Sequence, residues 1–237
     1  MSKPPALLTG RRAARAPWRW ARACALGSCV WLSAALPGAS ADVGSDQHPV
    51  AISQLPDGVT VSADAAPWSA IAALPAPFSR KAAGSLKLAW RADGLYGLLQ
   101  ATDAQITADS AAPWGRDCLE LWLETDCARS YDMTDHAFQI VLAPNPDAGA
   151  GRAIIVPANG HIARDRIVAT WKPVPGGYVL GFFLPAAQLG LAMTPGAKIG
   201  MNYALDDKGV AVEEFYNDKD MEDGFRSPCR WGTIVLK

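Results

Sequence analysis

Pro113-Trp114-Gly115-Arg116-Asp117-Cys118-Leu119-Glu120-Leu121-Trp122-Leu123-Glu124 is the stretch from which the fold can be read. From Leu119 onward it alternates without a break. Leu119, Leu121 and Leu123 point one way and Cys118, Glu120, Trp122 and Glu124 the other, the period of a strand with one apolar face. The opposite face carries two carboxylates and an indole, an unusual set for a face that only meets water. Trp114 lies just upstream, on a loop that Pro113 and Gly115 keep out of any helix interior. An indole on a loop beside a carboxylate on a strand suits a sugar. The ring stacks on the C–H face of a pyranose, and the carboxylate accepts hydrogen bonds from its hydroxyls. The competing reading is a Trp that plugs the end of a core and a Glu that is merely solvated.

Short β-rich runs recur on either side of this stretch. They cover Val59–Ser62, Leu86–Arg91, Leu95–Thr102, Ala137–Ala143, Ala153–Val156, Arg166–Trp171, Tyr178–Leu184, Lys198–Leu205 and Trp231–Leu236. Between them lie turn signals such as Asp93-Gly94, Asn159-Gly160, Pro175-Gly176-Gly177 and Pro195-Gly196. Helical turns are expected only within Ala63–Leu74 and Ala186–Leu191. The fold class is therefore all-β: an antiparallel two-sheet β-sandwich of immunoglobulin-like size. Its core should hold Trp90, Leu119, Leu121, Leu123, Phe138, Ile140 and Phe182. Trp68 is expected to cover a sheet edge and Trp231 to plug the end of the sandwich.

The first 41 residues read as a signal peptide. Lys3, Arg11, Arg12, Arg15, Arg19 and Arg22 precede an apolar run from Ala23 to Leu36, and Ala39-Ser40-Ala41 supplies a small-x-small cleavage site. The run is too short for a membrane span. Arg11-Arg12 lacks the apolar pattern that should follow in twin-arginine export. Leu26-Gly27-Ser28-Cys29 faintly resembles a lipoprotein box, but apolar residues continue past Cys29, so a lipid anchor there is the lesser alternative. The expected product is periplasmic or extracellular. Residues 42–56 form a loose lead-in and 57–237 a single domain.

Cleavage removes six of the 22 cationic side chains, leaving 16 against 23 acids, a net charge of −7. That balance opposes nucleic acid or an anionic membrane as partner and is compatible with a neutral ligand. Cys118, Cys127 and Cys229 remain, enough for one disulfide in an oxidising compartment, with three pairings open. No CxxC or clustered histidines support zinc. The acid run Glu213–Gly224 reads as a solvated loop or a calcium loop, with Asp206-Asp207 able to contribute to either. It lacks the spacing of an EF-hand.

Several motifs, taken in order, resemble the family 9 carbohydrate-binding modules. They are Asp57-Gly58; Trp68; Leu88-Ala89-Trp90-Arg91-Ala92-Asp93-Gly94-Leu95-Tyr96, whose second strand closes on Asp103; Trp114-Gly115-Arg116-Asp117-Cys118-Leu119-Glu120, similar to "W-x-x-D-x-x-E"; and the closing Pro228–Leu236. The resemblance spans nearly the whole chain after residue 41. It implies a jelly-roll-like sandwich that binds an oligo- or polysaccharide without catalysis, often beside an enzyme of polysaccharide catabolism and often with structural calcium. It also implies that Trp114 and Glu120 are an aromatic and an acid of the glycan site, with Gln139 and Asn202 as amide partners. Phe225, with Phe215 and Tyr216, is the candidate for a second aromatic. One departure is the family's Tyr-x-x-Glu, which here is Tyr178-Val179-Leu180-Gly181. Two other functions compete. Related sandwiches carry electrons on a haem, for which Met193, Met201, His136 and His161 are available without a telling spacing. A glycoside hydrolase would need two carboxylates flanking a cleft.

Overall fold

The structure is a computed structural model that describes residues 44–76, 83–108, 112–158, 162–215 and 224–237. The signal-peptide segment, Cys29, His161 and residues 216–223 of the acid run, Tyr216 among them, lie outside the described residues. No helix among the described residues is long and apolar enough to cross a membrane.

Among the described residues twelve strands form two mostly antiparallel sheets. In chain order they are β1 (Val50–Ile52), β2 (Gly84–Arg91), β3 (Gly94–Thr102), β4 (Cys118–Glu124), β5 (Ala137–Ala143), β6 (Gly151–Arg152), β7 (Ile154–Pro157), β8 (Val168–Val174), β9 (Gly177–Pro185), β10 (Lys198–Asp207), β11 (Val210–Glu214) and β12 (Gly232–Leu236). One sheet runs β1-β12-β10-β4-β5-β7 and the other β2-β3-β9-β8-β6. Because β4 pairs along one edge of β10, β11 and β12 share its other edge, β12 on Lys198–Met201 and β11 on Ala204–Asp207.

The alternation decides what is buried. Leu119, Leu121 and Leu123 meet Phe138, Ile140 and Leu142 of β5 and Ile199, Met201, Tyr203 and Leu205 of β10 on one inner face. Leu86, Leu88, Trp90, Leu95, Leu99, Leu180, Phe182 and Leu184 supply the other. The seven expected core residues are all buried. Fully burying such a side chain is worth about 1.5–3 kcal/mol. The Trp90 indole also donates to the Lys237 carbonyl at 3.0 Å, tying the chain end to the core.

The two outer faces differ, and that difference positions the site. On the five-stranded sheet Tyr96, Leu98, Val179 and Ala89 are sealed by Trp68, Leu55, Val59 and Ile71. Trp68 thus covers a sheet face, not an edge. The expected strand Val59–Ser62 is irregular instead: it pairs with no strand and spends its apolar residues on this face. Trp231 is likewise not an end plug. It packs with Trp122, Ala137 and Ala204 on the outer face of the seven-stranded sheet, which it covers only in part.

Residues 44–56 are held, where the sequence suggested a loose lead-in. β1 pairs in parallel with β12, and Gly44 packs against the Phe215 ring. Asp46 forms an ion pair with Arg129 and accepts a hydrogen bond from Thr233. The guanidinium also donates to the Trp231 carbonyl. Arg129 and Thr233 hold the Asp46 carboxyl below its ordinary value against the opposing effect of burial. The three described cysteines are unbonded. Cys118 opens β4 and Cys127 lies past its far end at Glu124, about 20 Å away at strand rise, so the two cannot pair.

Candidate functional site

Trp114 sits on a 3-10 turn, Pro113–Gly115, closed by a hydrogen bond from Gly115 N to Ala112 O at 3.0 Å. Asp117 fixes what surrounds it. Its carboxylate accepts from the backbone N–H of Thr107 and, at 2.8 Å, of Lys208 in the β10–β11 hairpin. That hairpin backs the turn so closely that a Cβ on Gly209 would come within 3.1 Å of the Gly115 Cα. The acid of the "W-x-x-D-x-x-E" pattern is thus a clasp for the turn that carries the indole. Trp114 itself stays 50% exposed, which removes the reading of it as a core plug.

Register brings the remaining side chains together. On the outer face Glu120 lies opposite Ala204, Trp122 lies between Asn202 and Gln139, and Cys118 lies opposite Asp206. The Gln139 amide donates to a Glu120 carboxylate oxygen. A cavity of about 610 Å³ opens over this face, within the roughly 300–1,000 Å³ typical of small-molecule sites. Trp114, Glu120, Gln139 and Phe225, all expected from sequence, line it. Asn202 shares the face but does not line the cavity; its side-chain oxygen accepts from Tyr203 N at 2.9 Å. Trp122, which alternation places on the Glu120 face as either a binding or a packing residue, also lines it, and so do Met133, Asp206 and Arg226, which were not assigned to it from sequence. Asp206 was within reach of the alternation 202, 204, 206 along β10. Met133, on an irregular loop, carried no such signal.

Cys118, fully buried beside the cavity, donates its thiol to Asp206 at 3.6 Å. Burial, reinforced by the Asp206 and Glu120 carboxylates, pushes its pKa far above the usual thiol range. It is therefore a neutral donor and not a nucleophile. For haem ligation, Met193 and Met201 are buried in the core and His136 lies exposed on a loop, so these candidates do not converge.

A second group of acids lies at the ends of β3, β4 and β10. Carboxylate oxygens of Asp103, Asp117 and Asp207 approach within 4.8 Å of one another. Asp103, Asp207 and the buried Tyr178 line a gap of about 10 Å³, roughly one water or ion. The Tyr178 hydroxyl has no hydrogen-bond partner among the described residues. Burial raises the Asp117 pKa, and the adjoining Asp103 carboxyl raises it further. An oxygen-only donor set with mutual repulsion fits a hard cation such as calcium. Of these, Asp207 was named from sequence as able to contribute to a calcium loop, whereas Asp103 and Asp117 lie outside the acid run that first invited that reading.

The profile of the "Carbohydrate family 9 binding domain-like" family matches residues 56–237. The chain belongs to that family. Its fold is similar to a family 9 carbohydrate-binding module from Caldicellulosiruptor kristjanssonii in complex with cellotriose. The TM-score is 0.66 at 16% identity, covering 79% of this chain and 93% of that one. The glucose complex of a family 9 module from the same organism gives 0.63 at 16% identity, with 79% and 95% covered. No curated protein matches the chain.

Gly181, where the resemblance leads one to expect a glutamate, lies on the outer face of the five-stranded sheet, away from this cavity. A Cβ there would fall 2.3 Å from the Ser62 carbonyl oxygen. The segment that seals that face leaves room only for glycine.

Proposed function

We propose that the cavity over the seven-stranded sheet binds a neutral glycan and that the domain does no chemistry on it. The observation that carries this reading is a half-exposed indole beside a hydrogen-bonded carboxylate–amide pair on one cavity wall, in a member of this family. Trp114 offers the flat apolar surface. Glu120, Asp206 and Gln139 accept and donate to hydroxyls, and Phe225, 42% exposed, is the second aromatic. The complexes of the structural neighbours with cellotriose and glucose support the ligand class. Binding without hydrolysis is favoured by the placement of the cavity acids. Glu120 and Asp206 stand on neighbouring strands of one sheet face, so both approach a ligand from the same side, whereas hydrolysis needs carboxyls flanking the glycosidic bond. Isothermal titration of the full chain with glucose and cellotriose should show saturable binding. No heat with either sugar, and no response to a panel of other neutral glycans, would overturn the reading.

The Asp103, Asp117 and Asp207 group is proposed as the calcium site, with a structural role. Adding calcium to chelator-stripped protein should raise the melting temperature by about 5–10 °C at a hundredfold excess over Kd. Asp117→Asn should abolish the increment. A melting temperature indifferent to both chelator and calcium would refute the site.

A further inference from the structure

Among the described residues three Phe, Trp or Tyr side chains are exposed: Trp114, Phe225 and, at 78%, Tyr131. The first two line the cavity. Tyr131 does not, but the loop that carries it forms part of the cavity's rim, because Met133, two residues on, is part of the wall; the Tyr131 Cα stands within about 7 Å of the Met133 Cα along the chain.

The rim under Tyr131 is fixed at several points. The buried Glu124 carboxylate accepts from the backbone N–H groups of Arg129 and Ser130, each at 2.9 Å. The Ser130 carbonyl in turn accepts from Cys229 N at 2.8 Å. Cys229 follows shortly after Phe225 and Arg226 of the cavity wall, so the segments bearing Tyr131 and Phe225 are bonded to each other. An aromatic ring on a loop anchored this way forms a ready-made platform, because binding to it costs little ordering of the backbone. Packing gives no reason for its exposure.

We propose that Tyr131 is a second stacking platform just outside the cavity and that the ligand is therefore a chain of sugars, one ring in the cavity and the next on Tyr131. This rests on the glycan reading above and adds its minimum length. The test compares glucose with cellotriose for the wild type, Tyr131→Ala and Tyr131→Phe, full chain in each case.

Tyr131→Ala should weaken cellotriose binding about fivefold to tenfold, the worth of one aromatic contact. Glucose binding and the melting temperature should be unchanged, and Tyr131→Phe should restore cellotriose affinity. Equal losses for both sugars, no loss for either, or a wild type that binds cellotriose no more tightly than glucose would each remove the Tyr131 subsite while leaving the cavity's role intact. A wild type that binds no glycan would remove both.

Discussion

Trp114→Ala should abolish most glycan binding while leaving the fold untouched. Half of the indole meets solvent, and the turn is held by backbone hydrogen bonds and by the Asp117 clasp, neither of which uses the ring. Surface truncations of this kind shift stability by no more than about 0.5 kcal/mol, or about 1–2 °C for a domain of this size. Binding should fall by about thirtyfold or more, the 2 kcal/mol of an aromatic hot spot. Glu120→Gln should cost less, roughly tenfold. An amide oxygen can still accept from Gln139 but no longer offers charge-assisted bonds to hydroxyls. Calorimetric melting alongside titration separates the outcomes. A Trp114→Ala protein that melts early, like a core truncation, would mean that the indole is structural after all.

Gly181→Glu should do the reverse, damaging the fold and sparing the site. The change restores the residue type that the family pattern leads one to expect. Here the new Cβ would meet backbone atoms of Ser62 at 2.3 and 2.8 Å, and backbone cannot rotate away as a side-chain tip can. Overpacking of this kind costs about 1–3 kcal/mol, so the melting temperature should fall by roughly 2–12 °C. Glycan affinity measured well below the transition should match wild type, because the substitution lies on the far outer face. A gain in affinity would show that the acid belongs to the site and that the cavity has been misplaced.

Strands, faces and core were legible because each depends on local alternation. Leu119, Leu121 and Leu123 could be assigned to the interior before any partner strand was known. Partnership was not legible. Val59–Ser62 has the composition of a strand but lies across a sheet face, and β11 hides in an acid run whose charges outweigh Val210 and Val212 in any local pattern. The site was half legible for the same reason. Trp114, Glu120 and Gln139 belong to periodic segments or their flanks. Met133 and Tyr131 are supplied by a loop whose path depends on Glu124 accepting from two backbone amides. The asparagine at 202 shows the limit of alternation, which gives the face of a residue but not its distance from a cavity on that face.

Asp46 stands ten residues before the start of the segment matched to the family, yet it is the counter-charge of Arg129, whose backbone helps to hold the cavity rim. The smallest portion of this chain that could be transplanted onto another protein with its site intact therefore begins at or before Gly44. A graft cut at residue 56 would carry away β1, uncover the edge of β12 and leave a half-buried guanidinium without its acid.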